Sequence, residues 1–126
     1  MTDKKKFIIG SRGSKLSLAY SSHVKNVLIK SNTQFNDDSI ETKIIKTSGD
    51  IFQNKRISDI GGKGVFCKQI EEQLLESKID LAVHSLKDLP TKMMNGLCVN
   101  AVVKRNDPRD PFLSYSSKSF KELKPQ

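Results

Sequence analysis

The sequence is poor in the residues that staple a chain together or anchor it elsewhere. Its 126 residues include two cysteines, four prolines and no tryptophan. Cys67 and Cys98 form no CxxC pair and neither is flanked by a histidine. That spacing suggests neither a zinc site nor a disulfide framework. Two small, buried or half-buried thiols are expected instead. No apolar run approaches the roughly 18 residues of a membrane-spanning helix, which excludes a helical membrane protein. The start carries Lys4, Lys5 and Lys6, but its apolar stretch is only Phe7-Ile8-Ile9 before Gly10. A secretory signal needs more, so a cytoplasmic protein is expected.

Acidic residues are in the minority. Against 22 Lys and Arg stand 14 Asp and Glu, a formal charge of +8. Charged residues make up 29% and apolar ones 36%, a polar balance for a globular chain but too apolar for disorder. The length suits one ordinary domain with a real core. A basic surplus has three meanings: nucleic acid, an anionic membrane surface, or an acidic small molecule. Nucleic acid finds little support. Two Tyr and six Phe are spread along the chain, and no recognition-helix motif accompanies them.

Phe7-Ile8-Ile9, closed by Gly10 and Ser11, reads as a buried strand. Leu16, Ala19, Tyr20, His23 and Val27 then fall on one face of a helix, with Ser14 as its cap and Ser31-Asn32-Thr33 as its end. The β-branched stretch from Ile40 to Lys46 reads as a second strand, parallel to the first. A long polar connection is expected from Thr47 to Gly64. Phe66, Ile70 and Leu74 mark a second amphipathic helix, with Glu71, Glu72 and Glu76 on its other faces. Leu81-Ala82-Val83 reads as a third strand, and Leu97 to Val103 as a fourth. The order predicts an open, mostly parallel α/β sheet with flanking helices. No internal repeat or low-complexity tract interrupts it.

In such sheets ligands bind beyond the carboxyl ends of the strands. Three polar clusters fall there: Gly10 to Ser14, Thr47 to Asp50, and His84 to Asp88. In the first, small residues allow close approach of the backbone, a helix start favours an anion, and Arg12 offers a planar fork for a carboxylate or phosphate. A plain turn with a surface arginine is the competing reading. Gly61-Gly62-Lys63-Gly64 is a glycine-rich loop with one cation. It is not a Walker A motif, because Ile57 and Gly64 stand where that motif needs Gly and Ser or Thr. In His84-Ser85-Leu86-Lys87-Asp88-Leu89-Pro90, an ionised Asp88 in a basic cleft suits stabilisation of a developing cation or acceptance of N–H bonds from a heterocycle. An Asx-turn before proline is the plainer alternative. No GxSxG elbow supports Ser85 as a nucleophile. Asp107-Pro108-Arg109-Asp110-Pro111 reads as a rigid corner with an internal ion pair.

Taken in order, five segments resemble the amino-terminal portion of the porphobilinogen deaminase, or hydroxymethylbilane synthase, family. They are Gly10-Ser11-Arg12-Gly13-Ser14-Lys15-Leu16, Ser48-Gly49-Asp50, Gly61-Gly62-Lys63-Gly64-Val65-Phe66, the run from Asp80 to Pro90, and Asn106-Asp107-Pro108-Arg109-Asp110-Pro111-Phe112. The resemblance covers Phe7 to Phe112. It implies an enzyme of tetrapyrrole synthesis that joins four porphobilinogen molecules head to tail with loss of ammonia. The growing chain hangs from a dipyrromethane cofactor held by a cysteine in a further domain. The implied fold is similar to type II periplasmic binding proteins. Residues 1–103 then belong to a first α/β domain and 104–126 to a crossover into a second.

By the same resemblance Asp88 is the catalytic carboxylate, serving a cationic azafulvene and the pyrrole N–H groups. Arg12, Ser14, Ser85 and Lys87 hold acetate and propionate groups of cofactor and substrate. Lys63 and Phe66 line the cofactor end of the cleft, and Asp50 belongs to a lid. The implied partners are porphobilinogen and acidic polypyrrole intermediates, with no nucleic acid or membrane, no metal, and a monomeric state. The 126 residues by themselves are expected to be inactive, since neither Cys67 nor Cys98 lies in the cofactor-bearing motif. The alternative is a non-catalytic α/β module that binds small acidic ligands.

Overall fold

The computed structural model describes residues 6–52, 64–116 and 118–123. Strand β1 spans Phe7–Ser11, helix α1 Lys15–Ser31 and strand β2 Ile40–Ile44. The short helix α2 covers Ser48–Ile51, α3 Lys68–Leu75 and strand β3 Leu81–Ala82. The three strands form one parallel sheet in the order β2-β1-β3, with Phe7 opposite Ile40 and Ile9 opposite Leu81. The expected strand–helix–strand unit with a parallel pair is therefore present. Backbone bonds extend the sheet at its carboxyl edge, from Ile45 N to Ser11 O at 2.8 Å and from Val83 N to Gly10 O at 3.1 Å.

The elements end where their sequences dictate. Ser14 is extended and its Oγ accepts from Ser17 N at 3.2 Å, capping α1 as its residue type predicts. Asn32 closes α1 through its N–H to Leu28 O at 3.0 Å. The core lies where α3 meets the sheet. Ile45, Ile70 and Ile79 form its centre, with Ile8, Leu74 and Ala82 packed around them. Burying each isoleucine contributes roughly 1.5–3 kcal/mol. Gly10, in the central strand, is closely packed: a Cβ there would stand 2.3 Å from Ile79 Cδ1, and that methyl would have to shift.

Several expectations are corrected. The predicted inner face of α1 is exposed, with Leu16 at 53%, Tyr20 at 39% and Val27 at 42%, and Ala19 and His23 are exposed too. The inner face is instead Ser17, Leu18, Ser21, Val24, Leu28 and Ile29. Ser21 is fully buried and satisfies its hydroxyl on Ser17 O at 3.0 Å, so a polar residue sits comfortably against the sheet. Leu97 to Val103 forms no strand. Residues 98–103 are exposed, with no described strand beside them to complete a ladder. The connection after Thr47 opens with a helical turn rather than a loop, and residues 53–63 lie outside the described part. Glu71 is buried rather than on an outer face, because α3 carries it towards His84. Cys98 is exposed, whereas Cys67 is buried as expected. The ion pair between Asp107 and Arg109 is present.

Candidate functional site

Four consecutive residues at the end of β2 build one wall of the site. Thr47 caps α2, its Oγ1 accepting from Asp50 N at 3.4 Å; in return its Oγ1 donates to Asp50 Oδ2 at 2.7 Å and its N–H donates to the same oxygen at 3.2 Å. Ser48 is tied to α3, since Gln69 Nε2 donates to its Oγ at 2.6 Å. Gly49 donates to Val65 O at 3.0 Å, and its missing side chain makes room for the Phe66 ring. A Cβ at Gly49 would lie 2.1 Å from Phe66 Cε1. Asp50 faces Arg12.

Arg12, just beyond β1, is the hub. Its Nε donates to Asp50 Oδ1 at 3.1 Å and its Nη2 to the same oxygen at 2.5 Å. Its guanidinium carbon stands 4.0 Å from the centre of the Phe66 ring, a cation–π arrangement. Its Nη1 is 3.9 Å from Asp88 Oδ2. The side chains of Arg12 and Asp50 are 18% and 22% exposed and that of Asp88 23%, so solvent screens these charges only in part while a ligand can still reach them. Partial burial pushes the Asp50 carboxyl up, but the hydrogen bonds from Arg12 and Thr47 outweigh it and hold it below its ordinary value.

The third wall is the exit of β3. Leu86–Asp88 forms a 3-10 turn closed by Asp88 N to Ser85 O at 3.0 Å. A set of contacts beneath it was not legible in the sequence. Cys67 Sγ donates to Asp88 O at 2.9 Å and stands 3.3 Å from His84 Nε2. His84 Nε2 also lies 3.1 Å from Phe66 O. Its Nδ1 is 3.3 Å from Ser85 O, so both ring nitrogens face a backbone carbonyl. Burial first, then the charges of Glu71 and Asp88, push the Cys67 thiol up to about 11. It is a neutral clasp and not a nucleophile.

The structure thus brings Arg12, Asp50, Phe66 and Asp88 together. Ser14 is occupied at the start of α1, where its Oγ also pairs with Ser17 Oγ at 2.8 Å. Ser85 is half-buried in the 84–88 segment, and Lys87 is exposed on the same turn. Lys63 lies outside the described residues. Among the described residues, no three His, Cys, Asp or Glu side chains converge as a metal site, and no helix is long and apolar enough to cross a membrane.

Fold and site together define an α/β domain whose strand ends present one arginine, two carboxylates and an aromatic face. This chain matches the family model described as porphobilinogen deaminase, dipyromethane cofactor binding domain, over residues 7–126. It is 46% identical over 115 residues to a porphobilinogen deaminase of Syntrophomonas wolfei, covering 91% of this chain and 37% of that protein. It is 48% identical over 115 residues to that of Ehrlichia chaffeensis, covering 91% and 38%. With that of Rickettsia conorii the identity is 49% over 116 residues, covering 91% and 32%. The chain belongs to the porphobilinogen deaminase family. It spans about a third of the length of these curated relatives.

The donor set fits the cofactor that the matched domain holds. A dipyrromethane offers pyrrole N–H groups and carboxylates. Asp88 is an accessible acceptor whose carboxylate makes no hydrogen bond among the described residues. The Nη1 of Arg12, 3.9 Å from Asp88 Oδ2, makes no hydrogen bond among the described residues.

Proposed function

We propose that these residues form the cofactor- and substrate-facing part of a hydroxymethylbilane synthase, which joins four porphobilinogen molecules head to tail with release of ammonia. The observation that carries the reading is the Asp88 carboxylate, unbonded among the described residues and 3.9 Å from Arg12 Nη1 at the carboxyl end of β3. Family membership supports it. The dipyrromethane supplies the primer from which the chain grows. Asp88 accepts pyrrole N–H bonds and stabilises positive charge that develops as ammonia leaves. Arg12 and Lys87 take the acetate and propionate groups, assisted by the Ser85 hydroxyl and by that of Ser14 once it turns its proton from Ser17 Oγ to the ligand. Phe66 backs the Arg12 guanidinium, and Lys63 belongs to the same cofactor end. Residues 1–103 form part of a first domain of type II periplasmic-binding-protein-like fold, and 104–126 lead into a second. The two free thiols fit a reducing cytoplasm, and we take the enzyme to be a monomer.

In a full-length protein carrying these residues, Asp88→Asn should lower hydroxymethylbilane formation by at least about 100-fold. Substantial remaining turnover would sink the assignment. The 126 residues alone should give no product from porphobilinogen. The Arg12 N–H groups that make no hydrogen bond among the described residues also suit a non-catalytic module for small acids. That reading predicts ligand binding and no turnover even at full length.

A further inference from the structure

Arg12 carries five N–H donors arranged on two forked edges. Asp50 takes the Nε–Nη2 edge, with Nε at 3.1 Å and Nη2 at 2.5 Å from Oδ1 and Nε at 3.3 Å from Oδ2. The second edge, Nη1–Nη2, makes no hydrogen bond among the described residues. Its Nη1 is 3.9 Å from Asp88 Oδ2, beyond hydrogen-bond range. The Phe66 ring lies 4.0 Å from the guanidinium carbon, and the Asp50 carboxylate ties down the Nε and Nη2 corner. Asp50 is itself held, since Thr47 donates to its Oδ2 from Oγ1 at 2.7 Å and from N at 3.2 Å. Thr47 is fully buried, so the support is anchored in the fold.

We propose that Asp50 is a positioning residue: it holds one edge of Arg12 so that the other is presented, beside Asp88, to a carboxylate of an acidic pyrrole ligand. This rests on the reading above that the site takes carboxylated pyrroles. A carboxylate can pair with the second fork while Asp50 keeps the first, so Asp50 and the ligand do not compete for the same N–H groups. An unheld arginine would have to lose rotamer freedom on binding, and Asp50 removes that cost beforehand.

The test uses the 126-residue chain, with folding checked by circular dichroism. Porphobilinogen binding is measured by calorimetry, and the Arg12 Nε–H signal by NMR, assigned through its loss in Arg12→Lys. The wild-type Nε–H should exchange slowly with water. Asp50→Asn should speed that exchange and weaken binding roughly 10-fold, and Asp50→Glu should restore part of both. In an Arg12→Gln background, Asp50→Asn should add nothing. Tighter or unchanged binding in Asp50→Asn would overturn the proposal, as would a loss that persists without Arg12. If wild type binds no porphobilinogen, the functional reading fails, and the NMR arm decides the positioning role. A protected Nε–H that Asp50→Asn exposes supports that role; an unprotected one in wild type overturns it.

Discussion

The thiol of Cys67 donates to the backbone carbonyl of Asp88 at 2.9 Å, so a core side chain reaches up and holds the turn that carries the candidate catalytic carboxylate. The same sulfur is 3.3 Å from His84 Nε2, which joins the turn before α3 to the exit of β3. Cys67 is 1% exposed and its thiol is pushed up to about 11, first by burial and then by Glu71 and Asp88. Its titration stabilises the fold below the ordinary thiol value of 9.0, and this contribution is lost as pH rises through about 11. At neutral pH an aromatic disulfide reagent should therefore label Cys98 quickly and Cys67 only in denaturant. Rapid labelling of both thiols in the native chain would show that the clasp is not formed.

Gly49 tests how Phe66 is seated. An alanine Cβ there would lie 2.1, 2.4 and 2.6 Å from Phe66 Cε1, Cδ1 and Cζ. A ring cannot yield as the tip of an aliphatic chain can, so either α2 or the ring must move. Gly49→Ala should cost about 1–3 kcal/mol in urea unfolding, the range for an overpacked site. It should also shift the Phe66 ring resonances and those of Arg12, which rests on that ring. An alanine variant as stable as wild type, with unchanged Phe66 signals, would show that the ring is not nested against Gly49.

What the sequence makes legible follows from periodicity and chain order. The short apolar run at Phe7 and the β-branched run at Ile40 were readable as parallel strands because the helix between them was bounded by Ser14 and Asn32. The placement of Arg12, Asp50 and Asp88 at strand ends follows from the same topology, and the structure brings the three together. The helix α1 carries two apolar stripes, and periodicity favours the exposed one through Leu16, Tyr20 and Val27 because Ser17 and Ser21 interrupt the inner stripe of Leu18, Val24, Leu28 and Ile29. Ser21 becomes a core residue by bonding back to Ser17 O, within its own helix. The strand expected at Leu97 to Val103 had the right composition, but a strand needs a neighbour, and no described strand lies beside it. The pairing of Cys67 with His84 joins residues 17 apart in sequence, with no spacing motif to announce it.

Glu71 supplies the last test, because its burial runs against the expectation for an amphipathic helix. It is 7% exposed, and its Oε1 has no hydrogen-bond partner among the described residues. Burial raises its carboxyl above the ordinary value of 4.5, and the charge of His84 only tempers that. A raised carboxyl stabilises the fold fully below about 4.5, and this contribution is lost as pH rises through the folded value. At neutral pH, above that ordinary value, folding must either bury the charge of Glu71 or take up a proton, so Glu71 is a burden on the fold. Glu71→Gln keeps the shape and removes the charge, so it should stabilise the chain by ~1 kcal/mol at pH 7. The gain should fade as pH falls below 4.5, where wild-type Glu71 is itself neutral in both folded and unfolded chains. Urea unfolding of both proteins at neutral pH and near pH 4 measures the difference. Destabilisation at pH 7 would instead mean that the ionised Glu71 holds His84 through a favourable charge pair that outweighs the cost of burial.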